Sequence, residues 1–170
     1  MPRALQAWYS RDDLETLADR RSVLRGEYRV AKLARLDGLV HAEHAQAVAI
    51  TLSARQSAGG QLKVALAIQG SVLVTCQRCL DSLEWLVDED TEWLVVDSES
   101  DARRLGAGEA VLVLEHGRLH LEALLEDELI VALPLAPRHE RIDDCGPLAR
   151  NFSAEPHGAA TDRVGGSREV

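Results

Sequence analysis

Two thiols two residues apart, Cys76 and Cys79 in the run Thr75-Cys76-Gln77-Arg78-Cys79-Leu80, are the groups of this chain best placed to do chemistry. A tight turn at that spacing brings both sulfurs to one side, each about 2.3 Å from a shared zinc ion. The same spacing serves a thiol redox couple, marked by a depressed thiolate pKa and a reversible Cys76–Cys79 disulfide. A redox motif of that kind normally opens a helix in a βαβ unit, whereas a strand-like run follows here. Catalytic groupings of other kinds are missing from the sequence: it has no Gly-rich phosphate loop, no H-E-x-x-H and no local Ser/His/Asp motif. Glu126, Asp127 and Glu128 could act as acid and base, but no partner motif accompanies them. A non-enzymatic protein with no small-molecule substrate is the expectation.

The elements around the thiols are legible from periodicity. Leu62, Val64, Leu66, Ile68, Gly70, Val72, Val74 and Cys76 occupy every second position, and Leu83, Trp85, Val87, Trp93 and Val95 continue the alternation beyond the turn. The cysteines therefore sit where a long hairpin turns over, and Gly70 is expected to mark a bulge or bend. Leu24 to Val30 and Ala47 to Ala54 read as further half-buried strands, and Val111 to Glu115 as a short one. Residues 1 to 22 read as a weak helix or irregular lead, with a helix start at Asp12-Asp13-Leu14-Glu15. Glu99 to Glu109 reads as a loop. The convincing helix spans Leu121 to Leu133, with Leu121, Leu124, Leu125, Leu129 and Ala132 on one face and Pro134 closing it. Glu128 falls within that apolar stripe and needs a partner, while Glu126 and Asp127 are expected to face solvent. His120 stands at the N-cap, where histidine is not favoured.

One hundred and seventy residues with 46% apolar content suit one domain with a sizeable core. The odd count of three cysteines argues against a closed disulfide framework. No run reaches the roughly 18 apolar residues needed to span a bilayer, and Met1-Pro2-Arg3-Ala4-Leu5 lacks signal-peptide features, so a cytoplasmic location is expected. The net charge of −9 is segregated. Asp81, Glu84, Asp88, Glu89, Asp90, Glu92, Asp97, Glu99 and Asp101 fall in a stretch without Lys or Arg, whereas Arg20, Arg21, Arg25, Arg29, Lys32 and Arg35 face only Glu27. An acidic chain is not drawn to phosphate backbones by its bulk field, so any RNA contact must use that local basic segment.

Two motifs in this order resemble a known family. Cys76-Gln77-Arg78-Cys79 after an alternating strand is similar to the C-x-R-C signature of the large ribosomal RNA subunit accumulation protein (YceD) family. Leu119-His120-Leu121-Glu122-Ala123-Leu124-Leu125-Glu126-Asp127-Glu128-Leu129-Ile130-Val131-Ala132-Leu133-Pro134 resembles its second signature, an apolar helix with an acidic centre ending in L-x-x-A-L-P. The resemblance covers roughly residues 62 to 145 and implies a role in bacterial large-subunit production, where loss of the protein prevents the large rRNA from accumulating. Many relatives carry further cysteines after a P-x-x-P like Pro134-Leu135-Ala136-Pro137. Here Cys145 alone follows, with His139 near the place of another. Histidine can replace cysteine on zinc, which gives Cys76, Cys79, His139 and Cys145 as a Cys3His set.

Taken together, these readings predict an α+β domain over residues 1–147: a twisted antiparallel sheet, curling toward a barrel, with one main C-terminal helix on it. A disordered tail is expected over residues 148–170. Arg78, Glu128 and Pro134 are expected to join turn and helix in a recognition surface, with Arg78 keeping Glu128 ionised. The alternative is that Glu128 reaches a backbone amide or solvent. The acidic strand, through Asp81, Glu84, Asp88, Asp90 and Glu92, is expected to dock a basic ribosomal protein or assembly factor. Direct large-subunit rRNA contact through Arg20 to Arg35, and thiol-redox or zinc-dependent regulation through Cys76 and Cys79, are the competing readings.

Overall fold

A computed structural model describes residues 5–41, 46–105 and 108–146; the expected tail lies outside them. The elements run β1 (Trp8–Ser10), α1 (Arg11–Asp19), β2 (Val23–Arg29), two 3-10 turns (Val30–Lys32 and Ala34–Leu36), β3 (Ala47–Gln56), β4 (Leu62–Thr75) and β5 (Ser82–Val96). They continue with α2 (Glu99–Leu105), β6 (Val111–Val113), β7 (Arg118–His120) and α3 (Leu121–Ala132), then a last 3-10 turn (Ile142–Asp144). The architecture is α+β, with a five-stranded sheet in the order β2-β3-β4-β5-β6 and a small β1-β7 ribbon beside it.

The two-residue alternation of β3, β4 and β5 divides the large sheet into unlike faces. Val48, Ile50 and Leu52 of β3, Val64, Leu66, Ile68, Val72 and Val74 of β4, and Val87, Trp93 and Val95 of β5 all turn into one core. Leu14, Leu17 and Ala18 of α1, Val30, Leu33 and Leu36 in and between the 3-10 turns, and Leu121, Leu124, Leu125 and Leu129 of α3 complete that core. The opposite face carries Arg25, Ala49, Thr51, Ala65, Ala67, Glu84, Asp88 and Asp90.

Several expectations need correction. The sheet does not close into a barrel: β2 and β6 are its two edges, and β6 runs parallel to β5 rather than antiparallel. One unforeseen helix, α2, joins the expected main helix and the weak N-terminal one, α1. α1 begins one residue after Ser10, whose side chain accepts from the Asp13 backbone N–H while the Asp13 carboxylate accepts from the Ser10 N–H, a reciprocal cap. α2 occupies the stretch read as a loop, with Glu99 and Asp101 in its first turn and Arg103 and Arg104 in its last, matching the helix dipole. Gly70 makes no bulge, for the pairing with β5 runs without offset from Lys63↔Leu94 to Thr75↔Ser82. Its φ of +154° and the approach of Val48, whose Cα would stand 3.3 Å from an added Cβ, explain why glycine is there.

The helix α3 is gripped from two sides. On one, Thr91 of β5 donates to Glu128 (2.8 Å). On the other, the Tyr28 hydroxyl of β2 donates to Glu122 (2.5 Å) and the Arg35 backbone N–H donates to Glu126 (3.0 Å). Glu126, expected in solvent, is thus the buried acid of the helix, while Asp127 is exposed. Burial, and then the Glu122 carboxylate, push the Tyr28 hydroxyl up to about 12. The folded state therefore holds the phenol proton more tightly than the unfolded chain, whose tyrosine titrates near 10. The stability from this contact is fully present below about pH 10 and is lost as pH rises toward 12. Tyr28→Phe is expected to cost about 1 kcal/mol at neutral pH and to flatten the stability decline above pH 10, as read by urea unfolding across pH.

Candidate metal centre

The hairpin joining β4 to β5 is built to present sulfur. The Cys76 N–H donates to the Asp81 carbonyl (2.9 Å), and the Leu80 N–H donates to the Cys76 carbonyl (2.9 Å). Leu80 adopts φ +64°, a left-handed conformation that turns the chain back into β5. Its side chain stays 74% exposed. Beyond α3, Pro134 stops the helix, and the chain folds back until the Pro137 carbonyl accepts from the Gln77 N–H (2.8 Å). That contact carries His139 and Cys145 to the hairpin.

All four residues of the expected Cys3His set meet there. One ligand atom from each of Cys76, Cys79, His139 and Cys145 lies within 4.8 Å of every other. His139 Nδ1 is 3.5 Å from Cys79 Sγ and 3.6 Å from Cys145 Sγ. Zinc bonds of about 2.3 Å to sulfur and 2.05 Å to nitrogen, at a tetrahedral angle, separate two such atoms by roughly 3.5 Å. The donor set and its two His139–sulfur edges thus fit a tetrahedral zinc ion. Cys76 and Cys145 are buried and no disulfide joins the three cysteines. Burial alone would raise the Cys76 thiol, but hydrogen bonds to the backbone around His139, Arg78 and Cys79 outweigh it and bring it down to about 6. Burial pushes Cys79 the other way, upward. Of these two sulfurs, Cys76 is the one whose surroundings favour the thiolate, the form that binds a metal.

Arg78 does not pair with Glu128. Its Nε donates to Cys145 Sγ (3.0 Å), and its terminal nitrogen donates to the carbonyls of His139 (2.9 Å) and Arg141 (3.0 Å). Glu128 is served by Thr91 instead. The reason is where each group lies: Glu128 faces β5, whereas the thiol turn packs on the segment after the helix. Three thiolates and a histidine on a divalent ion carry one net negative charge, which the guanidinium beside Cys145 offsets. Pro134 lines a groove of about 410 Å³ between the turn and the end of α3, with Leu39, Val74, Ile130 and Leu133.

The two charged segments occupy other places. Glu84, Asp88 and Asp90 stand exposed on the outer face of β5, and Asp81 is exposed at the corner. Glu92 is half-buried and held by Arg55 (2.6 and 2.7 Å) with Lys63 nearby (3.7 Å). The hydrogen bond from Arg55 is the main cause that lowers the Glu92 carboxyl. The basic residues are spread along the chain: Arg20 and Arg21 just after α1, Arg25 and Arg29 on β2, and Lys32 and Arg35 in the two 3-10 turns. Arg35 is paired with Asp127. Sequence reasoning missed Glu126, Glu122 and Tyr28, and only the acidic type of the two glutamates hinted at a contact.

Two outcomes test the centre. Purified full-length chain is expected to carry one zinc per molecule by elemental analysis, falling to a small fraction with Cys76→Ser or Cys145→Ser. Arg78→Lys, which keeps the charge but loses the fork of donors, is expected to weaken zinc affinity by roughly 10–100-fold in a chelator competition.

Among the described residues, no helix is long and apolar enough to cross a membrane. No curated protein and no solved structure matches the chain. A family model does, over residues 64–163, which takes in both the cysteine hairpin and α3. The chain belongs to the family described as large ribosomal RNA subunit accumulation protein YceD.

Proposed function

We propose that this protein is a non-catalytic accessory factor in large-subunit biogenesis, acting in large rRNA accumulation by binding a basic ribosomal protein or assembly factor. The family's name supplies the setting. The observation that carries the mode of action is the outer face of β5. Glu84, Asp88 and Asp90 stand exposed on it, with Leu86 between the first two, and none has an ion-pair partner among the described residues. Glu92 on the same strand is neutralised by Arg55 and Lys63, so the strand keeps its free charge toward the corner and Asp81. Carboxylates along one strand face, Asp88 and Asp90 about 6.6 Å apart and Glu84 about 13 Å from Asp88, suit lysines and arginines of a basic chain and raise the rate of encounter with it.

The Cys3His set holds zinc in a structural capacity in this reading. Four protein ligands leave no open position for water or substrate, the arrangement of zinc that ties chain segments together. The ion would fix the corner that ends the acidic strand. A cytoplasmic site of action goes with such a role.

The decisive experiment offers the purified full-length chain to a mixture of large-subunit ribosomal proteins at low salt. Capture of a basic member is expected, and Glu84→Gln with Asp88→Asn and Asp90→Asn is expected to weaken it by roughly tenfold or more. Unchanged capture would remove the acidic strand from the mechanism. Salt-dependent rRNA binding lost on replacing Arg20, Arg21, Arg25, Arg29, Lys32 and Arg35 would install direct RNA contact in its place.

A further inference from the structure

The segregation of charge along the chain becomes a segregation across one sheet face. β2 and β5 flank the pair β3-β4, so the basic strand and the acidic strand stand on opposite sides of the same surface. Pairing fixes the rows. Arg25, Thr51, Ala67 and Asp90 form one row across the four strands, and Glu27, Ala49, Gln69 and Asp88 form the next. Arg29 lies one step further along β2 and Leu86 one step further along β5. Between the charged flanks the face is floored by Ala49, Thr51, Ser53, Ala65 and Ala67, whose small side chains let another flat surface come close. Arg25, Arg29, Glu84 and Asp90 have no hydrogen-bond or ion-pair partner among the described residues, and no described element covers these rows.

From this we infer that the face is self-complementary and pairs with a second copy of the chain. A two-fold axis parallel to the strands, passing between β3 and β4, exchanges left and right but keeps every row at its own level. Arg25 of one copy then meets Asp90 of its partner, and the reverse contact repeats it. Arg29 comes over Leu86 and beside Asp88, with its aliphatic stem on the leucine, which is 76% exposed in the single chain. Leu86 is thereby given an apolar neighbour that the single chain does not supply. The one adverse contact is Glu27 toward Asp88. It is flanked by both arginines at diagonal distance, and Gln69 already donates to Asp88 (3.0 Å). A two-fold axis across the strands would instead place like charges together.

Four strands roughly 4.8 Å apart and about nine residues long at 3.3 Å each give a face near 600 Å² per copy. That is at the lower limit for a specific interface, so the association is weak and salt-sensitive. The basic partner proposed above would draw on the same carboxylates, and the two associations exclude each other.

Sedimentation equilibrium of the purified full-length chain alone, over concentrations up to roughly 1 mM, reads this without any partner. A monomer–dimer equilibrium is expected, weakened at high salt. Arg25→Asp and Asp90→Arg are each expected to raise the dimer Kd by roughly tenfold or more. Both positions are exposed, and thermal unfolding of each variant would check that the fold is kept. The double variant, and an equimolar mixture of the two singles, are expected to recover dimer because each contact regains opposite charges. A chain that stays monomeric throughout, a dimer indifferent to both reversals, or a double variant no better than the singles would overturn the inference. None of those results depends on whether a ribosomal protein binds.

Discussion

One forked, planar guanidinium organises the cysteine end of this protein. Arg78 sits between the two cysteines of the hairpin, yet it donates to the other side of the site: Nε to the Cys145 sulfur and one terminal nitrogen to the carbonyls of His139 and Arg141. It is therefore the strut that sets the segment after α3 against the thiol turn. Remove the guanidinium and three acceptors lose a charged donor at once. The Gln77–Pro137 backbone contact alone would not fix both ligand-bearing residues at bonding distance.

The two longest strands lead into and out of that corner. β4 and β5, fourteen and fifteen residues long, share one inner face that feeds the core through Val64, Leu66, Ile68, Val72 and Val74 of β4 and Val87, Trp93 and Val95 of β5. Their outer face is free to carry charge at no cost to packing. The same division explains the bipolar sequence. Basic residues gather in β2 and acidic ones in β5, and the meander β2-β3-β4-β5 puts three strand spacings between them. Charges that would neutralise one another on adjacent strands are kept apart within one chain.

How much of this the sequence discloses depends on the kind of interaction. Period-two alternation announced β4, β5 and the hairpin, because burial on one face leaves a trace at every second residue. The set Cys76, Cys79, His139 and Cys145 was readable from residue type together with the family resemblance. Arg78's partners were not: a sulfur and two backbone carbonyls leave no mark in a sequence, whereas Glu128 offered an obvious opposite charge. The helix α3 misled for a related reason. Its leucine stripe suggested one buried face, but β5 and the 3-10 turns grip it from two directions, so burial reaches Glu126. α2 escaped because none of its residues is buried, which leaves no apolar period to detect. The open sheet was likewise invisible, since β6 is three residues long and its parallel direction depends on the path of the chain before it.

The wide separation of the four ligands along the chain has a bearing on how the protein is made. Cys79 and His139 are sixty residues apart, and the whole of β5, α2, β6, β7 and α3 lies between them. At translation speeds of roughly 5–20 residues per second, the sulfur pair waits several seconds before its imidazole and third thiol have even been synthesised. The four-fold set is thus a late product of biosynthesis. Its completion reports that the strands and helix in between have found their places.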